Sequence, residues 1–125
     1  MKFLVDTCGW IEWITNGKLA IEFEPYLKKT QNLIIPTIIQ FELYKWLCRE
    51  RDEMLAASII GITEQSVVIP LETTLALFAA DISKQHSLSM ADAIVYATSE
   101  LYQATLVTSD QHFSKLSQVK YFSKK

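Results

Sequence analysis

Short apolar runs alternate along the chain with longer segments in which apolar residues recur at helical spacing. The runs at residues 3–5, 32–35, 66–69, 104–107 and 119–122 are rich in β-branched residues and predict strands. Pro36 and Pro70 follow the second and third runs and are expected to stop them. Runs that are apolar at every position are typical of parallel strands that are covered on both faces.

The segments between these runs predict helices. Leu75, Phe78 and Ile82 mark one apolar stripe, and Gly17 is expected to end the first helix. The predicted helices cover residues 8–16, 18–29, 37–51, 54–63, 71–86 and 89–103. Strands separated by helices of this length predict right-handed βαβ crossovers. The expected fold class is therefore α/β, a three-layer α/β/α domain with a central parallel sheet of four or five strands.

Composition adds limits to this picture. The 125 residues are 50% apolar, which suits one domain over residues 1–125 with an ordinary core. Twelve basic and 14 acidic residues give a net charge of −2, which argues against a protein that coats nucleic acid by charge alone. Cys8 and Cys48 form no disulfide framework and are expected to be reduced thiols. No secretory leader or membrane span is recognisable, so we expect a cytoplasmic protein.

Two carboxylates follow predicted strands directly. Asp6 comes after residues 3–5, and Asp110 comes shortly after residues 104–107. Sites in parallel sheets form beyond the carboxyl ends of the strands. If these two strands are parallel neighbours, Asp6 and Asp110 lie at the same edge.

Asp92 and Glu42 each have a structural explanation and a functional one. Asp92 falls at the third position of a helix behind Ser89, where it would form a capping box. Glu42 lies in a largely apolar helix, where a salt bridge with Lys45 or Arg49 would explain it. The functional alternative is that both join Asp6 and Asp110 in one acidic pocket. Such a cluster is costly without a cation, and Mg²⁺ prefers a few carboxylates plus waters.

The ordered set of motifs resembles the PIN-domain ribonucleases, most of all the VapC toxins of toxin–antitoxin pairs. The motifs are residues 3–7, Glu42 after residues 34–37, residues 91–94, and residues 106–110 followed by Phe113. Each motif alone is weak, but their order and spacing are specific. The resemblance covers nearly the whole chain.

This resemblance implies endonucleolytic cleavage of RNA with Mg²⁺ or Mn²⁺. Asp6 and Asp92 match the principal metal ligands, whereas Glu42 and Asp110 would bind metal directly or through water and orient the attacking water. Thr108 matches a hydroxyl position that supports Asp6. The resemblance also implies an antitoxin partner and a homodimer. Cys8 departs from the family pattern, because a small polar residue such as Ser or Asn is common at that position.

Other polar residues carry weaker signals. His86 and His112 form no zinc-binding motif, and His112 is either a surface residue or a contact for substrate phosphate. A nucleophilic role for Cys8 or Cys48 has little support, because no histidine is near in sequence. The basic residues are either solvated surface or a rim that guides phosphates; they are Lys45, Arg49, Arg51, Lys115, Lys120, Lys124 and Lys125.

The aromatic residues Trp10, Trp13, Tyr44 and Trp46 are either core residues or anchors for a segment of the antitoxin. The leading hypothesis is a metal-dependent endoribonuclease that is the toxin of a toxin–antitoxin pair. One alternative is a catalytically silent PIN-like module that binds RNA or a partner. Another is a phosphoryl-transfer domain with Asp6 as nucleophile, although Cys8 stands where that pattern needs a second aspartate.

Overall fold

The computed structural model describes residues 1–124, so Lys125 lies outside the described residues. All five predicted strands are confirmed: β1 (Lys2–Val5), β2 (Ile34–Pro36), β3 (Val67–Ile69), β4 (Ala104–Thr108) and β5 (Val119–Tyr121). Pro36 is the last residue of β2 rather than the first residue beyond it. β4 extends through Thr108, and this extension brings a hydroxyl to the carboxyl edge of the sheet.

The six predicted helices are also confirmed, with bounds that shift by a few residues. They are α1 (Thr7–Ile14), α2 (Ala20–Leu27), α3 (Thr37–Glu50), α4 (Glu53–Thr63), α5 (Thr73–His86) and α6 (Met90–Leu101). Two short 3₁₀ turns, Thr30–Asn32 and Gln111–Phe113, precede β2 and follow β4. No helix in the described part of the chain is long and apolar enough to cross a lipid bilayer.

The strands are all parallel, in two connected groups. One sheet has the order β1-β4-β5, and β2 pairs with β3. A single parallel bridge between Phe3 and Leu33 joins the two groups. The predicted parallel sheet is therefore present, but the contact between β1 and β2 narrows to one bridge, which divides the five strands into three and two.

Helices cover the strands on both faces. Leu4 and Val5 at the end of β1 are both buried, as are Leu106 and Val107 in β4. Since successive strand residues point to opposite faces, burial of consecutive residues requires cover on each side of the sheet. This burial confirms the expected three-layer architecture. β4 pairs with a strand on each side and lies at the centre of its sheet.

The end of α1 differs from the expectation. The helix ends at Thr15, whose hydroxyl donates to the carbonyl of Ile11 at 2.7 Å. Asn16, rather than Gly17, adopts the left-handed conformation with φ of 53°, which asparagine tolerates. Gly17 serves a packing role instead, since a Cβ at this position would meet the carboxylate of Glu12.

Gly9 permits the close approach of α1 to its neighbours. A Cβ at Gly9 would lie 2.6 Å from side-chain atoms of both Phe23 and Val5. We expect Gly9→Ala to lower the free energy of unfolding by about 1–3 kcal/mol, because the core would have to shift. Gly61→Ala is the matched control: nothing lies within 4 Å of its Cβ, and α4 should gain up to about 1 kcal/mol. Urea unfolding measures both, and equal effects would contradict this packing role.

Candidate active site

Asp6 lies where β1 ends and α1 begins. The backbone N–H of Thr7 donates to Asp6 Oδ1 at 2.8 Å, so the carboxylate caps α1. The parallel register pairs Val5 with Val107, and the residues that follow this pair therefore meet. Thr108 donates its hydroxyl to Asp6 Oδ2 at 2.9 Å. The Thr108 hydroxyl is thus a direct hydrogen-bond partner of Asp6, which is the supporting position that the resemblance implies.

Asp110 is fixed by the same threonine. Its backbone N–H donates to Thr108 Oγ1 at 2.9 Å. Its side-chain Oδ1 accepts from the backbone N–H of His112 at 2.9 Å and caps the Gln111–Phe113 turn. Thr108 therefore connects the two strand-end acids, because it donates to the carboxylate of Asp6 and accepts from the backbone of Asp110.

Glu42 reaches the site from α3. Its Oε1 accepts a hydrogen bond from the hydroxyl of Thr7 at 2.7 Å. The alternative of a salt bridge with Lys45 or Arg49 is wrong for the described chain, where Arg49 instead pairs with Glu50 at 2.9 Å. Sequence reasoning missed the role of Thr7, whose backbone holds Asp6 while its hydroxyl holds Glu42. A hydroxyl directly after the first acid was the available signal.

Asp92 comes from the first turn of α6. Ser89 is the N-cap residue, but its side chain makes no capping hydrogen bond. The capping-box explanation of Asp92 is therefore wrong for this helix. Instead, Asp92 Oδ2 lies 3.0 Å from His112 Nδ1.

His112 belongs to the site although its sequence signal was weak. Its Nδ1 lies 3.0 Å from Asp92 Oδ2 and 3.3 Å from Asp110 Oδ1. The hydrogen bond to Asp92, helped by the charge of Asp110, raises the pKa of the imidazole above its usual value. One ligand atom from each of these three residues lies within 4.8 Å of the others. The 3₁₀ turn that brings the ring back toward Asp110 is what the sequence did not reveal.

All four sequence-predicted acids line one cleft of about 450 Å³. The remaining lining residues are Thr7, Cys8, Ile11, Phe41, Lys45, Trp46 and Arg49. The structure therefore brings together Asp6, Glu42, Asp92 and Asp110, which lie far apart in sequence. Lys45 and Arg49 are the members of the predicted basic rim that reach this cleft. Lys124 instead forms an ion pair with Glu12 at 3.6 Å.

Burial of Asp6 makes its negative charge unfavourable. The loss of water raises the pKa of this carboxyl to about 6, although hydrogen bonds from Thr108 and Thr7 lower it and the charges of Asp110 and Glu42 raise it further. In the described chain no lysine or arginine forms an ion pair with any of the four acids. A cation in the cleft would lower this electrostatic cost.

The donor set fits a hard divalent ion. The carboxylates of Asp6, Glu42, Asp92 and Asp110 offer oxygen ligands, which Mg²⁺ and Mn²⁺ accept. His112 adds a nitrogen donor beside Asp92 and Asp110, and imidazole suits metals such as Zn²⁺ or Fe²⁺ better than Mg²⁺ or Mn²⁺. The choice of Asp6 and Asp92 as principal ligands stays a prediction.

Cys8 supports the site as a neutral thiol. Its Sγ lies 3.5 Å from Thr108 Oγ1 and 3.7 Å from Asp6 Oδ2, and it accepts from the hydroxyl of Ser109 at 3.3 Å. Burial, and then the charge of Asp6, raise the pKa of this thiol. A protonated thiol is a poor nucleophile, which argues against a nucleophilic Cys8.

The aromatic residues divide between core and cleft. Trp10 is fully buried, and Trp13 packs against the core while its indole donates to Glu24 at 3.1 Å. Tyr44 is exposed, and Trp46 is half-buried in the cleft wall. Trp10 is thus a core residue, whereas the antitoxin contact of the others stays a hypothesis.

Two features together define the class of protein: the parallel α/β fold, and the cleft at the carboxyl edge of its sheet that four acids line. The family model of the PIN domain matches residues 3–119. The chain belongs to the PIN domain family. Membership excludes the alternative phosphoryl-transfer fold with Asp6 as nucleophile. Among curated proteins, no sequence matches this chain significantly.

Solved structures share this fold at low sequence identity. A toxin–antitoxin complex from Klebsiella pneumoniae is 18% identical with a TM-score of 0.82, covering 98% of this chain and 99% of that chain. DNA-bound VapBC from Salmonella typhimurium is 18% identical with a TM-score of 0.78 and 98% coverage of both. VapC20 from Mycobacterium tuberculosis, a Sarcin-Ricin loop cleaving toxin, is 14% identical with a TM-score of 0.69, covering 99% and 92%.

We expect Asp6→Asn to stabilise the metal-free protein at high pH. The pKa of the Asp6 carboxyl is near 3.8 in the unfolded state and about 6 in the folded state. Between about pH 4 and pH 6 the folded state therefore binds more protons than the unfolded state does. The free energy of unfolding of the wild type therefore falls as pH rises from about 4 to 6. Two pKa units correspond to about 3 kcal/mol, the upper limit of the gain near pH 8.

Urea unfolding in EDTA at pH 4 and pH 8 measures this difference. The gain of Asp6→Asn should shrink to a small remainder at pH 4, where the folded wild type binds the proton fully and the unfolded state binds it about half of the time. Asp81→Asn replaces an exposed carboxylate on α5 and is the matched control; it retains Asp6 and should therefore keep the pH dependence of the wild type. A loss of stability in Asp6→Asn at pH 8 would show that the hydrogen bonds of Asp6 outweigh its burial.

Proposed function

We propose that this chain is a divalent-metal-dependent endoribonuclease, the toxin of a type II, VapBC-like toxin–antitoxin pair that cleaves RNA and thereby inhibits translation and growth. The observation that carries the proposal is the single cleft in which Asp6, Glu42, Asp92 and Asp110 converge without lysine or arginine ion pairs in the described chain. PIN family membership supports it, and so does the structural similarity to a toxin–antitoxin complex and to a Sarcin-Ricin loop cleaving toxin.

In this proposal Asp6 and Asp92 hold Mg²⁺ or Mn²⁺, with Glu42 and Asp110 bound directly or through water. The bound ion supplies Lewis acidity and neutralises charge on the phosphoryl oxygens. Glu42 and Asp110 accept hydrogen bonds from the attacking water and orient it toward the phosphorus. Thr108 and Thr7 keep the carboxylates of Asp6 and Glu42 in place through the hydrogen bonds described above.

The wider biology belongs to the same proposal. We place the protein in the cytoplasm, where its RNA substrate is found, as one PIN domain over residues 1–125 that forms a homodimer. Its protein partner is an antitoxin. A catalytically silent PIN-like module is the competing function. The presence of all four costly acids in one cleft favours the enzyme.

We expect Asp6→Asn and Asp92→Asn each to lower RNA cleavage about 100-fold or more. Loss of a residue that only orients a metal ligand already lowers metal affinity or activity by about 10–100-fold, and loss of the ligand itself should cost at least as much. The assay is cleavage-site mapping of total RNA with Mg²⁺ and with EDTA. Asp81→Asn, which keeps the cleft intact, should cleave like the wild type. Metal-dependent cleavage at wild-type level in both cleft variants, with melting temperatures in the same buffer showing intact folds, would exclude this active site.

We expect the product of a small neighbouring gene to form a stable complex with this chain and to suppress its cleavage of RNA. Light scattering after size-exclusion chromatography gives the stoichiometry, and the same run on the isolated chain tests the homodimer. A partner that binds without any effect on cleavage, or a monomeric chain at micromolar concentration, would contradict the corresponding part of the proposal.

A further inference from the structure

The cleft has an aromatic and basic wall that the proposed chemistry leaves unused. Helix α3 supplies Phe41, Lys45, Trp46 and Arg49 to it, alongside Glu42. Residues four apart on a helix share a face, so Phe41, Lys45 and Arg49 form one row beside the acids. Aromatic rings interleaved with cations are characteristic of surfaces that hold single-stranded nucleic acid.

Phe41 is the more open of the two aromatic residues in this wall. The residue is 60% exposed, although burial of a phenylalanine side chain is normally favourable. Trp46 offers less free surface because it is half-buried against the core. Phe41 and the four acids line the same cleft, so its ring belongs to the wall of the acidic pocket.

Lys45 provides a charge for a phosphate beside this ring. Its Nζ lies 5.8 Å from the ring centroid of Phe41. In the described chain no carboxylate lies within ion-pair distance of Lys45, whereas Arg49 is already paired with Glu50. An unpaired ammonium next to an open aromatic face matches the two chemical parts of a nucleotide, a flat base and an anionic phosphate.

We infer that Phe41 is a stacking platform for one unpaired base of the RNA substrate next to the scissile phosphate, and that Lys45 binds the adjacent phosphate. This inference rests on the proposed nuclease function and adds a specificity-determining residue to it. A base within a duplex stacks on its neighbours and cannot lie on a protein ring. The platform therefore selects single-stranded segments, such as loops, over continuous helices.

The charges favour RNA over a protein segment as the occupant. A peptide anchor fits best into a buried pocket, whereas the ring of Phe41 is open and flanked by a cation. The cleft volume of about 450 Å³ lies within the range of ordinary ligand sites. Binding of an antitoxin segment to the same ring is the competing outcome.

Binding of short RNAs that carry one 2-aminopurine tests this inference. The probes are single strands of about ten nucleotides and their blunt duplexes, measured by anisotropy and 2-aminopurine fluorescence in EDTA to prevent cleavage. We expect Phe41→Ala to weaken single-strand binding about tenfold and to remove the stacking-dependent quenching. Duplex binding should change little.

Four further variants separate stacking from other effects. Phe41→Tyr should retain binding and quenching because it keeps the ring, whereas Phe41→Leu should behave like Phe41→Ala because it keeps only apolar surface. Lys45→Gln should weaken binding and reduce its salt dependence by about one phosphate contact. Leu77→Ala removes a side chain of similar exposure on α5 and should change nothing.

Unchanged RNA binding in Phe41→Ala would overturn the inference, and so would a loss of antitoxin affinity alone. The two proposals fail separately. If Asp6→Asn and Asp92→Asn cleave like the wild type while Phe41→Ala loses stacking, the metal centre is wrong and the platform remains. If those two substitutions abolish cleavage but Phe41→Ala binds and cleaves RNA normally, only the platform is wrong.

Discussion

The site depends on the parallel pairing of β1 with β4. This pairing sets Val5 beside Val107, so the chain leaves both strands at the same edge with Asp6 next to Thr108. One hydroxyl then serves two acids, because Thr108 donates to Asp6 and accepts from the backbone of Asp110. A slip of one residue in this register would turn Thr108 to the other face of the sheet and separate the pair.

Electrostatics explain why so many hydrogen bonds converge here. Four carboxylates in one cleft repel each other, and burial of Asp6 adds a desolvation penalty. The protein reduces this cost without basic ion pairs to Asp6 or Glu42 in the described chain. It uses the N–H and hydroxyl of Thr7, the hydroxyl of Thr108, and the imidazole of His112. Such neutral or weakly basic partners leave the negative potential available to a cation.

Much of this arrangement could be predicted from the sequence because it follows from the ends of secondary-structure elements. Asp6 and Asp110 come after apolar runs, which fixes their edge once the strands are parallel. Glu42 was recognisable as a carboxylate in an apolar helix. The hydroxyl after the first acid was the only sequence signal for Thr7. Its partner Glu42 and the partners of His112 were not predictable, because these contacts join side chains across different elements and depend on rotamers and on a short 3₁₀ turn. The sheet was predicted as continuous, whereas Phe3 and Leu33 connect its two parts by one bridge.

The central place of β4 also has a consequence for synthesis of the protein. β1 leaves the ribosome early, but its partner strand begins only at Ala104. Asp6, Thr108 and Asp110 therefore cannot meet until the chain has emerged as far as Asp110. Contacts between residues so distant in sequence form late and slowly. The acidic cleft is consequently absent from a growing chain that has not yet released β4, and whatever chemistry it performs begins only after that strand has left the ribosome.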